Sequence, residues 1–143
     1  MITRYALCAR RVVCDATEND VTAIGIVEDF VAVGFPLVMS RLALVWAFAR
    51  EPDEPAQLNG VIKASVDGES LHEAPFNIDF QGKLASRVIL NLLGFVCPKP
   101  GLYKLTFSVG GEDRAFAVFR ADAAPRPEGA PAPPPPGGAF MIA

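Results

Sequence analysis

One histidine and three cysteines are all the imidazole and thiol chemistry in the sequence. Histidine-dependent hydrolases set that residue beside a Ser or Cys nucleophile and an orienting carboxylate. Here His72 lies in Leu71-His72-Glu73, and no Gly-x-Ser-x-Gly elbow occurs anywhere in the chain. Strand alternation puts His72 on the face opposite Leu71, toward solvent. A structural zinc site gathers about four ligands, usually with a close Cys-x-x-Cys pair, and Cys8, Cys14 and Cys97 contain no such pair. Calcium needs six or more converging oxygens. The acidic clusters Glu51, Asp53, Glu54 and Asp67, Glu69, Glu73 have no fixed ligand spacing, and Pro52 and Pro55 interrupt the first. No catalytic residue, no metal and no cofactor is therefore expected.

Three further absences bound the partners and the compartment. No window reaches the roughly 20 apolar residues of a membrane span, so no membrane partner is expected. The start, Met1-Ile2-Thr3-Arg4-Tyr5-Ala6-Leu7-Cys8, lacks the continuous apolar stretch and small-residue cleavage site of a signal peptide. A cytoplasmic location is the resulting expectation. Basic residues are scattered, the pair Arg10-Arg11 apart, and net charge is -3; nucleic-acid binders concentrate Lys and Arg to neutralise phosphates, so none is expected as a partner. Cys8 and Cys14 on one strand would stand roughly 20 Å apart, beyond the 7 Å a disulfide allows. All three thiols are read as reduced and more often buried than reactive.

What the sequence does contain is a period of two. Tyr103, Leu105, Phe107 and Val109 alternate with Leu102, Lys104, Thr106 and Ser108, as in a half-buried strand. Phe76, Ile78 and Phe80 alternate with Asn77, Asp79 and Gln81, and Leu58, Gly60, Ile62, Ala64 and Val66 share one side of another strand. Asp67-Gly68 and Gly110-Gly111 supply the positive φ angles of tight hairpins. Pro100-Gly101 opens the Tyr103 strand, Thr17 to Asp20 separates the first two strands, and Pro52 and Pro55 break the chain after Arg50.

Other segments are apolar on both faces. Leu42, Leu44, Trp46 and Phe48 make a bulky side and Ala43, Val45, Ala47 and Ala49 a small one; Leu84 to Gly94 is similar. Val21 to Val33 is too long for one ordinary strand, so a bulge or break near Gly25 or Asp29 is expected. The apolar stretch Gly94 to Pro100 is read as a connection that caps the sandwich or forms a contact surface. No segment joins helical periodicity to a capping signal. Roughly eight strands spaced about 8–12 residues apart indicate an all-β fold, a two-sheet antiparallel β-sandwich over residues 1–121.

Residues 122–143 form a separate tail. Ala123 to Gly138 is almost wholly Ala, Pro, Gly, Arg and Glu and includes Pro133-Pro134-Pro135-Pro136; proline lacks the amide donor, and the segment has little apolar bulk, so a flexible spacer is expected. About 16 such residues reach at most roughly 50 Å. Beyond it, Phe140, Met141 and Ile142 return to apolar character, and these three are the candidate docking residues. They could seat on their own domain, on a partner, or on neither.

The order Tyr5-Ala6-Leu7-Cys8, Ile24-Gly25-Ile26, Phe35-Pro36, Asp79-Phe80-Gln81-Gly82 and Pro100-Gly101-Leu102-Tyr103 resembles a family of uncharacterised bacterial proteins that form one β-sandwich domain. The resemblance covers about residues 1–120 and implies the fold alone, since no activity or functional residue comes with it. Pro100-Gly101-Leu102-Tyr103 is also similar to the corner of immunoglobulin-like and fibronectin-like domains, where a tyrosine hydroxyl ties down the connection before a late strand. C2-like sandwiches share the same general architecture.

The functional expectation is a non-enzymatic protein-interaction or assembly module, partnered by another protein or by itself. Its motive is the Ala43, Val45, Ala47 side, which the second sheet, another subunit or the tail must cover. The alternative is a small-molecule or lipid carrier that uses an interior lined by Trp46, Phe48, Phe76, Phe80 and Phe107; it requires a cavity of at least roughly 300 Å³.

Overall fold

The computed structural model describes residues 1–125, residue 129 and, for the backbone only, residues 141–142. Its strands are β1 (Ile2–Cys14), β2 (Val21–Ile26), β3 (Asp29–Ala32), β4 (Leu37–Ala49), β5 (Gln57–Val66), β6 (Glu69–Asp79), β7 (Ala85–Cys97), β8 (Gly101–Val109), β9 (Glu112–Ala123) and the two-residue β10 (Met141–Ile142). No helix occurs among the described residues. One sheet runs β10-β7-β4-β1-β2 and the other β3-β9-β8-β5-β6. Every pairing is antiparallel except β3 with β9.

The turn chemistry works as its residues require. Asp67 and Gly68 take φ of 47° and 84°, and Gly110 and Gly111 take 60° and 82°, so both hairpins use two consecutive left-handed residues. The apolar run from Val21 breaks at Val27–Glu28, with Gly25 at φ 67° just before it. The break moves the chain from one sheet to the other: β2 pairs with β1, and β3 pairs with β9.

Two expected boundaries move. β7 does not stop at Gly94 but continues to Cys97, so the stretch from Gly94 is strand rather than connection. Gly94, at φ 65°, shifts the alternation by one, and Phe95 and Cys97 become buried where Leu90 and Leu92 were buried before it. At the other boundary, β9 runs to Ala123 and the Ala124 amide donates to the Ala32 carbonyl at 2.8 Å. Sheet pairing thus continues past residue 121, where the flexible tail was expected to begin.

Between the sheets lies a packed aromatic interior. Phe107 is 6.1 Å from Trp46, 5.9 Å from Phe48 and 6.0 Å from Phe76, centroid to centroid. A second group stacks Tyr103 on Phe119 at 5.1 Å, with Phe95 edge-on to both. Trp46, Phe48, Phe80, Phe95, Tyr103, Phe107 and Phe119 are all at most 1% exposed. Gly60 makes room for this packing: a Cβ there would run into the Ser108 carbonyl oxygen and meet the Phe107 ring at 2.8 Å.

The small side of β4 is covered by the chain's own first hairpin. β1 pairs with β4 from Ile2 to Ala9, then with β2 from Ala9 to Cys14, changing partner at Ala9. Beyond Ala9 the β1–β2 hairpin lies over the outer face of its own sheet. Val21 and Ala23 line a hollow with Tyr5, Leu7 and Val45, and Arg87 Nη2 donates to the Asn19 carbonyl at 2.8 Å and to Asn19 Oδ1 at 3.2 Å. Ala43, Val45 and Ala47 are consequently 0%, 1% and 7% exposed. Within the chain it is this hairpin, and not the second sheet, that covers the face.

Candidate functional site

The expected docking residues divide. Phe140 lies outside the described residues, while Met141 and Ile142 pair antiparallel with Leu93 and Leu92 of β7. The Met141–Ile142 backbone therefore adds a two-residue strand to the β7 edge of its own domain.

His72 is not on the solvent side. It stands opposite Ala64, which is 1% exposed, and is itself half-buried. It is in phase with Phe76 and Ile78, which share its face without a register shift. The shift between Ala64 and Ser65 makes the extra residue on β6, Leu71, a false guide to that face, and the outward placement rested on Leu71. Cys8 and Cys97 are buried and Cys14 is exposed. Burial pushes the Cys8 thiol up to about 12. It does the same to Cys97, outweighing the opposing hydrogen bond with Tyr103. Neither thiol is a ready nucleophile near neutral pH. Among the described residues, no three His, Cys, Asp or Glu side chains gather as a metal site, and no helix is long and apolar enough to cross a membrane.

The concave features open at the surface. A hollow of about 640 Å³ is walled by Arg4, Lys83, Arg87, Asp79 and the exposed Cys14 and reaches down to Phe48 and Phe80. Its polar walls differ from the aromatic chamber a carrier would need, and the interior rings are packed against one another as described above.

The outer face of the β3-β9-β8-β5-β6 sheet is different. In β9 the inward residues Ala115, Ala117, Phe119 and Ala121 alternate strictly with outward Arg114, Phe116, Val118 and Arg120. Much of the apolar bulk of the strand thus faces solvent, and mostly alanine faces the core. The small inner residues suit the close approach of β1 to β9, where Thr3 Oγ1 donates to the Arg114 carbonyl at 2.6 Å. Phe116 is 54% exposed and Val118 42%; Leu102 on β8 is 40% exposed and Val31 on β3 is 65% exposed. β9 lies between β3 and β8, so these side chains come from three adjacent strands. Lys104 Nζ lies 4.4 Å from the Phe116 ring centroid, holding a cation over the ring's electron-rich face. The sequence carried the signal in Phe116 and Val118 alternating with alanines, but alternation alone does not say which side faces the core.

DUF6941, a family of unknown function, matches residues 5–122. No curated protein matches.

Proposed function

The chain belongs to DUF6941, a family of unknown function, and we propose that it works as a non-enzymatic protein-interaction or assembly module of the cytoplasm, through the outer face of its β3-β9-β8-β5-β6 sheet. One observation carries this reading. β9 turns Phe116 and Val118 to solvent while its alanines face the core. A strand that only had to complete a sandwich would gain more by the reverse arrangement, since burying Phe and Val side chains is worth about 1.5–3 kcal/mol each. Exposed aromatic bulk beside a cation is what protein interfaces use as anchors, and the opposite sheet has its own outer face covered by the first hairpin. The carrier alternative draws no support from an interior whose aromatic rings are in mutual contact.

The experiment is a Phe116→Ser, Val118→Ser double variant of the full chain, with thermal melting as the check on folding. Sedimentation mass and the proteins co-purified from native extract are compared with the natural chain. Loss of a stoichiometric partner or a fall in mass supports the reading. A folded double variant with the same mass and the same partners overturns it.

A further inference from the structure

A thirteen-residue strand such as β7, left at a sheet edge, presents a row of unpaired amides and carbonyls that invites pairing with another chain. Its other side is fully engaged, from Leu37 opposite Cys97 to Ala49 opposite Ala85 on β4. On the outer side, the strand found among the described residues is β10, at Leu92 and Leu93 alone. β7 is also rich in apolar residues, with Val88, Ile89, Leu90, Leu92, Leu93, Phe95 and Val96 in sequence order, and Leu93 remains 36% exposed. A long, apolar edge is thus met by a very short strand cut from the end of the same chain. Two ladder residues are a small attachment. What favours them is tethering: a joined segment acts at an effective concentration of order mM without any tight contact of its own.

We propose that the outer edge of β7 is a binding site for a short, extended, apolar peptide segment, and that its resident ligand is the chain's own Met141–Ile142, held in cis as a displaceable cap. Recognition is by main-chain hydrogen bonds added to a sheet edge. The site lies on the other sheet from Phe116, so it stands or falls separately from the surface proposed above.

The test uses the full chain with Met141→Pro and Ile142→Pro, since proline cannot donate to the ladder and is excluded from a paired strand. In an antiparallel strand neighbouring residues point their amides to opposite sides, so one of Leu92 and Leu93 faces β4 and the other faces β10. Hydrogen exchange at the β10-facing amide is expected to accelerate at least about tenfold in the variant, while the β4-facing amide stays protected and reports that the domain is folded. A synthetic peptide of residues 139–143 should shift the amide resonances of β7 in the variant, with at least about tenfold weaker binding to the natural chain, where the tethered copy competes. Unchanged exchange at both amides, or equal peptide affinity for the two proteins, overturns the proposal. So does a natural chain that sediments as a dimer and becomes monomeric in the variant, because the cap would then belong to a second copy.

Discussion

The Tyr103 hydroxyl donates to the Lys99 carbonyl at 2.5 Å and accepts the Lys99 amide at 3.3 Å, so one side chain closes the connection that leads into β8. The ring beneath that hydroxyl is stacked on Phe119 and wholly buried. The corner is therefore anchored in the core and fastened at the surface by the same residue.

Tyr103→Phe keeps the ring and removes the fastening. Two backbone groups lose their partner, and the cost is about 1–3 kcal/mol. Thermal denaturation should show a clear fall in Tm with unchanged β-sheet circular dichroism. An unaltered Tm would mean that water replaces the hydroxyl without loss.

Gly60→Ala should destabilise by about 1–3 kcal/mol through overpacking. The new methyl meets the Ser108 carbonyl and the Phe107 ring, and that ring touches Trp46, Phe48 and Phe76 and cannot swing away alone. Trp46→Ala, which empties a fully buried site instead, should cost about 3–5 kcal/mol. Urea unfolding measures both. A Gly60→Ala protein as stable as the natural one would show that the Phe107 cluster is looser than its geometry.

The buried thiols give the stability an alkaline limit. Their folded pKa lies above the ordinary value of 9.0, at about 12 for Cys8 and for Cys97, because burial penalises the thiolate. The unfolded chain ionises both first, so it releases protons that the folded chain keeps. Stability from this source is complete below about pH 9 and declines as pH rises toward 12. Burial also raises the Tyr103 pKa, which adds in the same direction. At pH 8 a thiol-alkylating reagent should label Cys14, which is exposed, well before the other two. Replacing Cys8 and Cys97 by alanine should flatten the alkaline decline; a decline of unchanged steepness would assign it to other groups.

Local chemistry made much of this fold legible in the sequence. Asp67-Gly68 and Gly110-Gly111 can hardly be read as anything but tight turns, and a run as long as Val21 to Val33 had to break. The features that escaped depend on what lies across from a residue. His72 is in phase with Phe76 and Ile78, which share its face without a register shift, but a bulge at Leu71, visible only in the pairing with β5, makes Leu71 a false guide to that face. Gly94 resembles a strand terminator until its left-handed φ is seen to shift the phase of a strand that continues. The return to apolar residues at Phe140, Met141 and Ile142 stands out in the sequence, but not the edge that pairs with Met141–Ile142, because any unpaired strand would serve.

The faces were the hardest part to read, and they supply the decisive test. Ala43, Val45 and Ala47 in β4 and Phe116 and Val118 in β9 are all apolar residues on the outer side of a sheet, and nothing in their own segments separates them. In the structure Val45 is 1% exposed beneath the β1–β2 hairpin and Val118 is 42% exposed. An aspartate introduced at the two positions should therefore behave in opposite ways. Val45→Asp places an unpaired charge between Leu7 and Ile89, its neighbours across β1 and β7. That should cost at least about 3 kcal/mol, or lift the hairpin away and free Arg87 from Asn19. Val118→Asp stands in solvent opposite Lys104 and should cost no more than about 1 kcal/mol, chiefly from lower strand propensity. Urea midpoints for the two variants, measured with the natural chain, give the comparison directly. Equal losses would mean that both outer faces are covered, or neither, and the difference between the two sheets would have to be abandoned together with the surface assigned to Phe116.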